Sequence, residues 1–291
     1  MTLDVSSVVT VGHAVLDHRF RVAVFPPTHA RTDADTYRSD VGGPAAVAAI
    51  AVVRLGGGAR LVAARGADDA GAQLAAALAD RGVDIEGFVV REDVETPVAA
   101  VLVDPSGERF IFRRVARSFT ADAPWVTPER LVGAGAVLVH PLWAAGADAA
   151  VRSARVLDLP CVLDLDHVSP TTMELATRVT HVIADMSVAH ALGGVESAVA
   201  ALRSTGAWWA ITLGADGVRH ADGTMAALHV PVLDTTGAGD VFHGAFALAL
   251  AEGRGENYAL HFASVAAALH VRDARIPDRA AVAARMEEQH V

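Results

Sequence analysis

The chain has 291 residues, of which 52% are hydrophobic and 20% are charged, and its formal net charge is −10 at pH 7. These values exclude a largely disordered chain and a broad basic face for nucleic acid, and they leave room for one large α/β domain. The single cysteine, Cys161, and the lack of an apolar run of membrane-spanning length lead us to expect a cytoplasmic protein without disulfides or membrane contact.

All 24 basic residues are arginine, because the sequence contains no lysine. A P-loop lysine, a protein-kinase strand lysine and a Schiff-base lysine are therefore excluded. If the protein handles phosphate groups, backbone N–H groups, arginine side chains and metal ions must neutralise their charge.

The first part of the chain alternates between apolar strands and helices. Strands are predicted over 5–11, 22–25, 37–41 and 61–64, and helices over 44–55 and 69–81. The first helix has proline in its first turn and stops at a glycine triplet, which is a typical order of start and stop signals. Two further strands, 98–103 and 109–113, flank the turn sequence Asp104-Pro-Ser-Gly107 and predict a hairpin.

The alternation of strands and helices continues beyond the hairpin. Strands are predicted over 136–139, 161–165, 180–184 and 208–213, with helices over 147–157, 171–178 and 195–204, and with three final helices over 238–253, 255–270 and 278–288. This order predicts an α/β fold with a mostly parallel sheet covered on both faces. We interpret residues 1–291 as a single domain, in which strands within about 19–41 and 95–117 form a small β lid.

The most informative stretch is Asp234-Thr-Thr-Gly-Ala-Gly-Asp240, which leads into an apolar, alanine-rich segment. A glycine-rich turn that opens a helix directs several backbone N–H groups at one point, and the helix dipole adds about half a positive charge there. A carboxylate in such an anion site is suited to remove a proton from the group that attacks a phosphate, so Asp240 is the candidate catalytic base. The alternative is a helix N-terminus with a capping aspartate.

Other polar and glycine residues follow predicted strands, at the edge where parallel sheets bind ligands. They are Asp17, Gly42, Gly43, Asp164, Asp166, Thr212, Gly214 and Gly217. Each has a structural alternative, as a turn residue, a helix entry or a hairpin glycine. Asp68 and Asp69 look like a metal pair, but a turn with a helix cap explains them better. The thirteen histidines show no metal-binding spacing, and we interpret them as scattered.

These motifs resemble the PfkB/ribokinase family of sugar and nucleoside kinases. Residues 234–247 match the family's C-terminal signature, Val41-Gly-Gly-Pro-Ala-Ala46 matches its N-terminal one with departures, and the resemblance covers nearly the whole chain. Within the family, the motifs are most similar to the sulfofructose kinase branch. The resemblance implies a ribokinase-like three-layer α/β/α sandwich that uses ATP and Mg²⁺, with K⁺ as a further candidate cofactor.

The resemblance also implies roles for individual residues. It implies Asp240 as the base and the amides of Gly237, Ala238 and Gly239 as the anion hole. It implies Thr212, Gly214 and Gly217 as nucleotide-binding residues and Asp17, Gly42 and Gly43 as substrate-binding residues. It places a monovalent cation at Asp234 and Thr236.

Several positions depart from the pattern of the family. Val47 replaces an asparagine that binds the sugar, and His243 replaces an asparagine of the C-terminal signature. In the magnesium element, Asp185 and Val188 stand where asparagine and glutamate are usual, so Asp185 is a candidate Mg²⁺ contact through water.

The sequence therefore predicts an ATP-dependent kinase that phosphorylates a hydroxymethyl group on a sugar or sugar-like substrate, with a homodimer through the exposed lid strands. A nucleoside kinase of the same fold and a catalytically weak sugar-binding regulator, motivated by Val47 and Val188, are the alternatives. A dinucleotide-binding dehydrogenase is disfavoured, because no Gly-x-Gly-x-x-Gly follows the first strand.

Arg113, at the end of the hairpin, is a further candidate substrate-binding residue. Alternation along the strand separates Arg113 from Phe110 and Phe112, whose apolar face is expected to pack on protein. The guanidinium of Arg113 would then face the acceptor and bind an anionic tail. The alternative is a solvated edge strand on which Arg113, Arg114 and Arg117 discourage aggregation.

Overall fold

Two β-sheets are present in the computed structural model, which describes residues 6–25, 33–104, 109–115 and 122–288. The strands are β1 (Ser7–Val11), β2 (Val15–Arg21), β3 (Thr36–Gly42), β4 (Gly58–Gly66), β5 (Phe88–Arg91), β6 (Val98–Val103), β7 (Arg109–Arg114), β8 (Ala136–Val139), β9 (Cys161–Leu165), β10 (His181–Ala184), β11 (Trp208–Thr212), β12 (Val218–His220) and β13 (Gly223–Met225). The larger sheet has the order β13-β12-β11-β10-β9-β8-β1-β4-β5. Its pairs are parallel except β11 with β12 and β12 with β13, which confirms the mostly parallel sheet.

Helices pack on both faces of the larger sheet. They are α1 (Pro44–Arg54), α2 (Asp69–Asp80), α3 (Pro128–Leu131), α4 (Ala144–Val156), α5 (Pro170–Ala176), α6 (Met186–Ala191), α7 (Val195–Arg203), α8 (Ala238–Ala251), α9 (Glu256–Asp273) and α10 (Arg279–Glu288). Successive side chains of β1 point to opposite faces, so Val8 belongs to the hydrophobic cluster that includes α1, α8 and α9, whereas Val9 and Val11 belong to the cluster that includes α4 and α7. The structure therefore has the three predicted layers.

Helix α8 holds the glycine-rich turn in place. Its side chains are buried over the whole stretch from Val241 to Leu250, and it packs between α1 and α9 and against β1, β8 and β9. A helix that is apolar all round is fixed by its surroundings, so its N-terminus has a defined position at the edge of the sheet.

The smaller sheet, with the order β3-β2-β6-β7, forms the predicted lid. In its register, Asp17 pairs with Asp40 and Ala99, and Ala99 pairs with Arg113, so these side chains share one face. The next two rows on this inner face hold Arg19, Arg38, Val101 and Ile111, and then Arg21, Thr36 and Val103. The outer face carries Phe20, Tyr37, Leu102, Phe110 and Phe112.

The predicted strand over 22–25 is wrong, because residues 23–25 form a bend and β2 instead spans Val15–Arg21. The inner face of β2 carries Asp17, Arg19 and Arg21, so the strand lacks the contrast of apolar and polar faces that identifies strands in a sequence. The lid consequently starts before residue 19. Five elements of three to six residues, β5, β12, β13, α3 and α6, were not predicted.

Arg117 and most of the predicted hairpin turn lie outside the described residues. Among the helices of the described ranges, none is both long enough and apolar enough to cross a membrane.

Candidate active site

Polar side chains gather where parallel strands of the larger sheet end. His13 follows β1, His140 follows β8, Asp166 follows β9, Asp185 follows β10, and Thr212 ends β11. With neighbouring strands about 4.8 Å apart, the ends of β1 and β11 are separated by about 19 Å, because three strands lie between them. This edge is long enough to hold an acceptor and a nucleotide side by side.

The glycine-rich turn opens α8 at the same edge. Gly237 is the N-cap residue, and its φ of 76° lies in the left-handed region that side-chain-bearing residues avoid. The first N–H groups of a helix have no partner within the helix and can bind an anion. Among the three predicted amides, that of Ala238 donates to the carbonyl of Thr235 at 3.3 Å, a long bond that an anion can replace.

Asp240 lies in the first turn of α8 and is partly buried. Burial, together with the charges of Asp164, Asp166 and Asp17, raises the pKa of its carboxyl to about 7, although His140 opposes the shift. Such a carboxyl can accept and release a proton near neutral pH. The influence of Asp17 also shows that the lid brings this predicted substrate-binding residue close to the predicted base.

A buried network of histidine and aspartate adjoins Asp240. His140 Nε2 lies 3.4 Å from Asp166 Oδ2 and 3.9 Å from Asp164 Oδ2, and His243 Nδ1 lies 3.4 Å from Asp164 Oδ2. The N–H of Leu142 donates to His140 Nδ1, so Nε2 carries the proton of this ring. Although burial opposes it, the charges of Asp164 and Asp166 raise the pKa of His140.

The sequence analysis missed this network, because it treated the histidines as scattered. The available signal was position: His140 is the first polar residue after an apolar strand, as Asp166 is. His140 and His243 are far apart in the chain, and in the structure both rings lie near Asp164.

The predicted substrate-binding residues Asp17, Gly42 and Gly43 are neighbours. A Cβ at Gly42 would lie 2.4 Å from the carboxylate of Asp17, and one at Gly43 would lie 2.6 Å from the carbonyl oxygen of His13. Burial raises the pKa of Asp17 to about 6, where Arg19 opposes and Asp40 reinforces the shift. This cluster lies where the lid strands β2 and β3 meet the segment that follows β1.

The predicted nucleotide-binding residues lie further along the same edge, at the end of β11. The Thr212 hydroxyl donates to the carbonyl of Ala184, and residues Gly214–Asp216 form a 3₁₀ turn between β11 and β12. Gly217 follows this turn with a φ of 88°, and an added Cβ would lie 2.1 Å from the carbonyl oxygen of Met225. The hairpin between β11 and β12 therefore requires glycine at position 217, which agrees with the alternative interpretation of Gly217 as a hairpin glycine.

Asp234 and Thr236, the predicted monovalent-cation residues, form a compact turn before Gly237. Asp234 Oδ1 accepts bonds from the N–H and the hydroxyl of Thr236, at 2.8 and 2.5 Å. From the lid, Arg19 Nη2 donates to Thr236 Oγ1 at 3.0 Å and to Asp234 Oδ2 at 3.3 Å. His270 Nε2 donates to the carbonyl of Thr236 at 2.7 Å. Sequence reasoning missed both Arg19 and His270.

Asp185, the predicted Mg²⁺ contact, caps α6. Its Oδ1 accepts bonds from the N–H groups of Ser187 and Val188. The Ser187 hydroxyl lies 2.5 Å from this oxygen and 2.8 Å from the carbonyl oxygen of Asp166, so the ends of β9 and β10 are linked. No three His, Cys, Asp or Glu side chains of the described residues are arranged to hold a metal ion.

Arg113 lies on the inner face of the lid, in the row of Asp17. Burial, followed by the charges of His140 and Arg113, lowers the pKa of His13 to about 4. The charge of Arg113 therefore acts on the segment that follows β1. Phe110 and Phe112 share the outer face, as strand alternation predicted. Phe112 is 61% exposed, however, so the expectation that this face packs on protein is wrong for Phe112, because no described element of the chain covers its ring.

Comparisons with known proteins agree with this fold and motif order. The chain is 30% identical to fructokinase-1 of Zea mays over 82% of its length and 81% of that protein. It is 27% identical to a nucleoside kinase of Methanothermobacter thermautotrophicus over 96% and 95% of the two chains. The crystal structure of a putative ribokinase from Agrobacterium tumefaciens superimposes with a TM-score of 0.91 at 32% identity and covers 98% of each chain.

A family model identifies the group to which these similarities point. The model of the pfkB family of carbohydrate kinases matches residues 5–275, which include the lid, the sheet and the glycine-rich turn. The ribokinase-like fold is thereby confirmed. This chain belongs to the pfkB family of carbohydrate kinases.

Proposed function

We propose that the protein transfers the γ-phosphoryl group of ATP to a hydroxymethyl group of a sugar that carries a second, anionic group. Kinase activity follows from the family, and the observation that carries the mechanism is the Asp240 carboxyl, with its pKa raised to about 7, in the first turn of α8. A proton acceptor and an anion site therefore share a single turn of the chain.

In this mechanism, the ionised Asp240 accepts the proton of the hydroxymethyl group as its oxygen attacks the γ-phosphorus. The bond from that phosphorus to the β–γ bridging oxygen breaks, and the products are ADP and the phosphorylated sugar, with the proton on Asp240. Burial beside Asp164 makes Asp240 a stronger base than an exposed carboxylate. The amides of Gly237, Ala238 and Gly239 with the dipole of α8 stabilise the negative charge of the moving phosphoryl group.

A magnesium ion fits the oxygen donors at the ends of β9 and β10. The Ser187 hydroxyl links the carboxylate of Asp185 to the main-chain carbonyl of Asp166 there, and carboxylates at such a position can hold Mg²⁺ directly or through water. Two carboxylates with several waters and phosphate oxygens make a complete Mg²⁺ shell, so a third protein ligand is not needed. When bound, the ion would neutralise charge on the phosphates of ATP.

The anionic group of the acceptor is assigned to Arg113. This residue shares the inner face of the lid with Asp17, and its charge reaches His13 at the end of β1. In a chain with a net charge of −10 and no lysine, an arginine at this place favours a phosphate, sulfonate or carboxylate tail. This assignment agrees with the motif resemblance to sulfofructose kinases.

The test is a screen of ATP consumption with ketoses, sugar phosphates, sulfosugars and nucleosides, followed by variants. Arg113→Ala should lower kcat/KM by about ten- to a hundredfold for an anionic ketose and by less than threefold for its neutral counterpart. Arg114→Ala is the matched control, because Arg114 is the next residue on the outer face. An equal loss on both acceptors would contradict the assignment of Arg113.

The same screen decides the alternatives. A preference for nucleosides would favour the nucleoside kinase alternative, and this chain is 27% identical to the nucleoside kinase of Methanothermobacter thermautotrophicus. Tight sugar binding without turnover would favour the regulator that Val47 and Val188 suggested. Val188 is fully buried in α6, and Val47 lies beside Gly237, so both are also explained by packing.

We further propose a homodimer through the outer face of the lid. Tyr37 and Phe112 are 58% and 61% exposed on this face, and Phe110 stacks on Phe25 with ring centroids 3.7 Å apart. A second copy of this face would cover the exposed rings. Light scattering should show a dimer that Phe112→Asp converts to a monomer.

A cytoplasmic location is also proposed, because the reaction consumes ATP.

A further inference from the structure

The guanidinium of Arg19 joins the lid to the turn that precedes the anion hole. Arg19 lies on β2, and its side chain is 15% exposed. Its Nη2 contacts Thr236 Oγ1 at 3.0 Å and Asp234 Oδ2 at 3.3 Å. These are the two residues that the family resemblance assigns to a monovalent cation, so a cation of the protein itself stands at that place.

Several other oxygen atoms in and beside this turn are also engaged by protein donors. Asp234 Oδ1 accepts from the N–H and hydroxyl of Thr236, and the Thr236 carbonyl accepts from His270. The carbonyl of Val271 accepts from the N–H groups of Leu233 and Asp234, at 3.0 and 3.2 Å. A K⁺ ion needs several oxygen atoms turned toward it, and the nearby guanidinium would repel it. These residues therefore do not fit a monovalent-cation site.

We propose that Arg19 is the built-in cation of this anion hole, and that it makes phosphoryl transfer independent of K⁺. Thr236 directly precedes Gly237, so a guanidinium held on its hydroxyl places positive charge next to the amides of the anion hole. Arg19 fixes the turn from the lid side, whereas His270 fixes its carbonyl from α9. Since Arg19 belongs to the lid, closure of the lid delivers the charge that a dissolved cation would otherwise supply.

The surroundings of Arg19 support an ionic role. Arg38 lies directly opposite Arg19 on β3, and Arg21 is the next residue on the same face. Like charges directly opposite each other destabilise a sheet, so this arrangement is unfavourable for the lid alone. The three arginines and Asp234 line a cleft of about 150 Å³. Positive charge is thus in excess in the cleft between the lid and the turn that precedes the anion hole.

The first experiment measures the ligand-free protein and does not depend on the proposed reaction. The melting temperature of the full chain is recorded in KCl, NaCl and tetramethylammonium chloride at equal ionic strength. We expect the three values to agree within about 1 °C. A selective rise of several degrees in KCl would show a K⁺ site and would overturn the proposal, whatever acceptor the enzyme uses.

The second experiment uses turnover and rests on the proposed kinase reaction. Wild-type kcat/KM should differ by less than twofold between the three salts, and activation of more than fivefold by K⁺ would refute the proposal. Arg19→Gln should lower kcat/KM by ten- to a hundredfold, and Arg19→Lys, which keeps the charge, should recover most of this loss. Arg114→Gln on the outer face is the control. Wild-type activity in Arg19→Gln would equally overturn the role of Arg19.

A chain that phosphorylates no acceptor would contradict the proposed function, while the melting experiment would still decide whether the protein binds K⁺.

Discussion

Replacement of Asp240 by asparagine tests the proposed base and the cause of its raised pKa together. Burial and the charge of Asp164 raise this pKa from 3.8 to about 7, so the carboxyl changes its ionisation near neutral pH. Only the ionised form accepts a proton, and kcat/KM of the wild type should therefore fall about tenfold for each pH unit below 7. Asp240→Asn should lower kcat by about 10² to 10⁴, and this pH dependence should be lost.

The same pKa shift predicts that the inactive variant is the more stable protein. Below pH 3.8 the carboxyl is protonated in the folded and the unfolded chain, and as the pH rises the unfolded chain ionises first, whereas the folded protein keeps its proton until about pH 7. The free energy of unfolding falls across this window, by about 1.4 kcal/mol for each unit and about 4 kcal/mol in total. Asparagine cannot ionise. The free energy of unfolding of Asp240→Asn should therefore exceed that of the wild type by up to about 4 kcal/mol at pH 8, and the two proteins should be equally stable at pH 3.5.

The assays are urea unfolding at several pH values and kcat/KM between pH 5.5 and 8.5. Asp69→Asn is the control, because Asp69 also lies in the first turn of a helix but is exposed. It should leave both the pH dependence of unfolding and the turnover near wild type. The reasoning is refuted if wild-type kcat/KM stays flat to pH 5.5, or if Asp240→Asn retains turnover within tenfold and gains no stability at pH 8.

Three further predictions concern the acceptor, the glycines between β11 and β12, and the metal. Asp17→Asn should raise the KM of the acceptor at least about tenfold and change the KM of ATP less than threefold, because Asp17 lies on the lid strand β2, far along the sheet edge from the end of β11; equal changes in both constants would argue against this position. Gly217→Ala should destabilise the protein by more than about 1 kcal/mol in urea unfolding, because its Cβ would meet the carbonyl of Met225, whereas Gly214→Ala, whose Cβ meets nothing within 4 Å, should cost less. Turnover should require Mg²⁺ and vanish in excess chelator, since the chain has no lysine to neutralise the phosphates; full activity in chelator would contradict this.

The sequence was sufficient for elements whose pattern reflects burial. Strands β8 and β9 have the predicted bounds, because strands buried in a parallel sheet are short apolar runs. Strand β6 of the lid also has its predicted bounds, because a turn sequence follows its apolar run. Helix α8 was placed within two residues, because a glycine turn starts it and a glycine follows its end. The order of these elements was enough to predict the layers and the lid.

The sequence was insufficient where contacts join distant residues. Arg19 meets Thr236 across 217 positions of the chain, and no local pattern distinguishes it from other arginines of the lid. His140 and Asp164 come together only because β8 and β9 are neighbours in the sheet. The pKa of Asp240 depends on both of them, so the acidity of a candidate residue taken from its motif could not be predicted from the sequence.

The inner face of the lid separates two kinds of charge by row. The row nearest the sheet carries Asp17 and Asp40, with Arg113 at its far edge, and the next rows carry Arg19, Arg38 and Arg21. Carboxylates bind sugar hydroxyls, whereas guanidinium groups bind phosphate oxygens. One movement of this sheet would therefore bring the acids to the acceptor and the arginines to the phosphoryl group. Because Arg19 completes the turn before the anion hole, an open lid would leave that turn without its cation, and ATP would meet a fully charged anion hole only when the lid has closed over the acceptor.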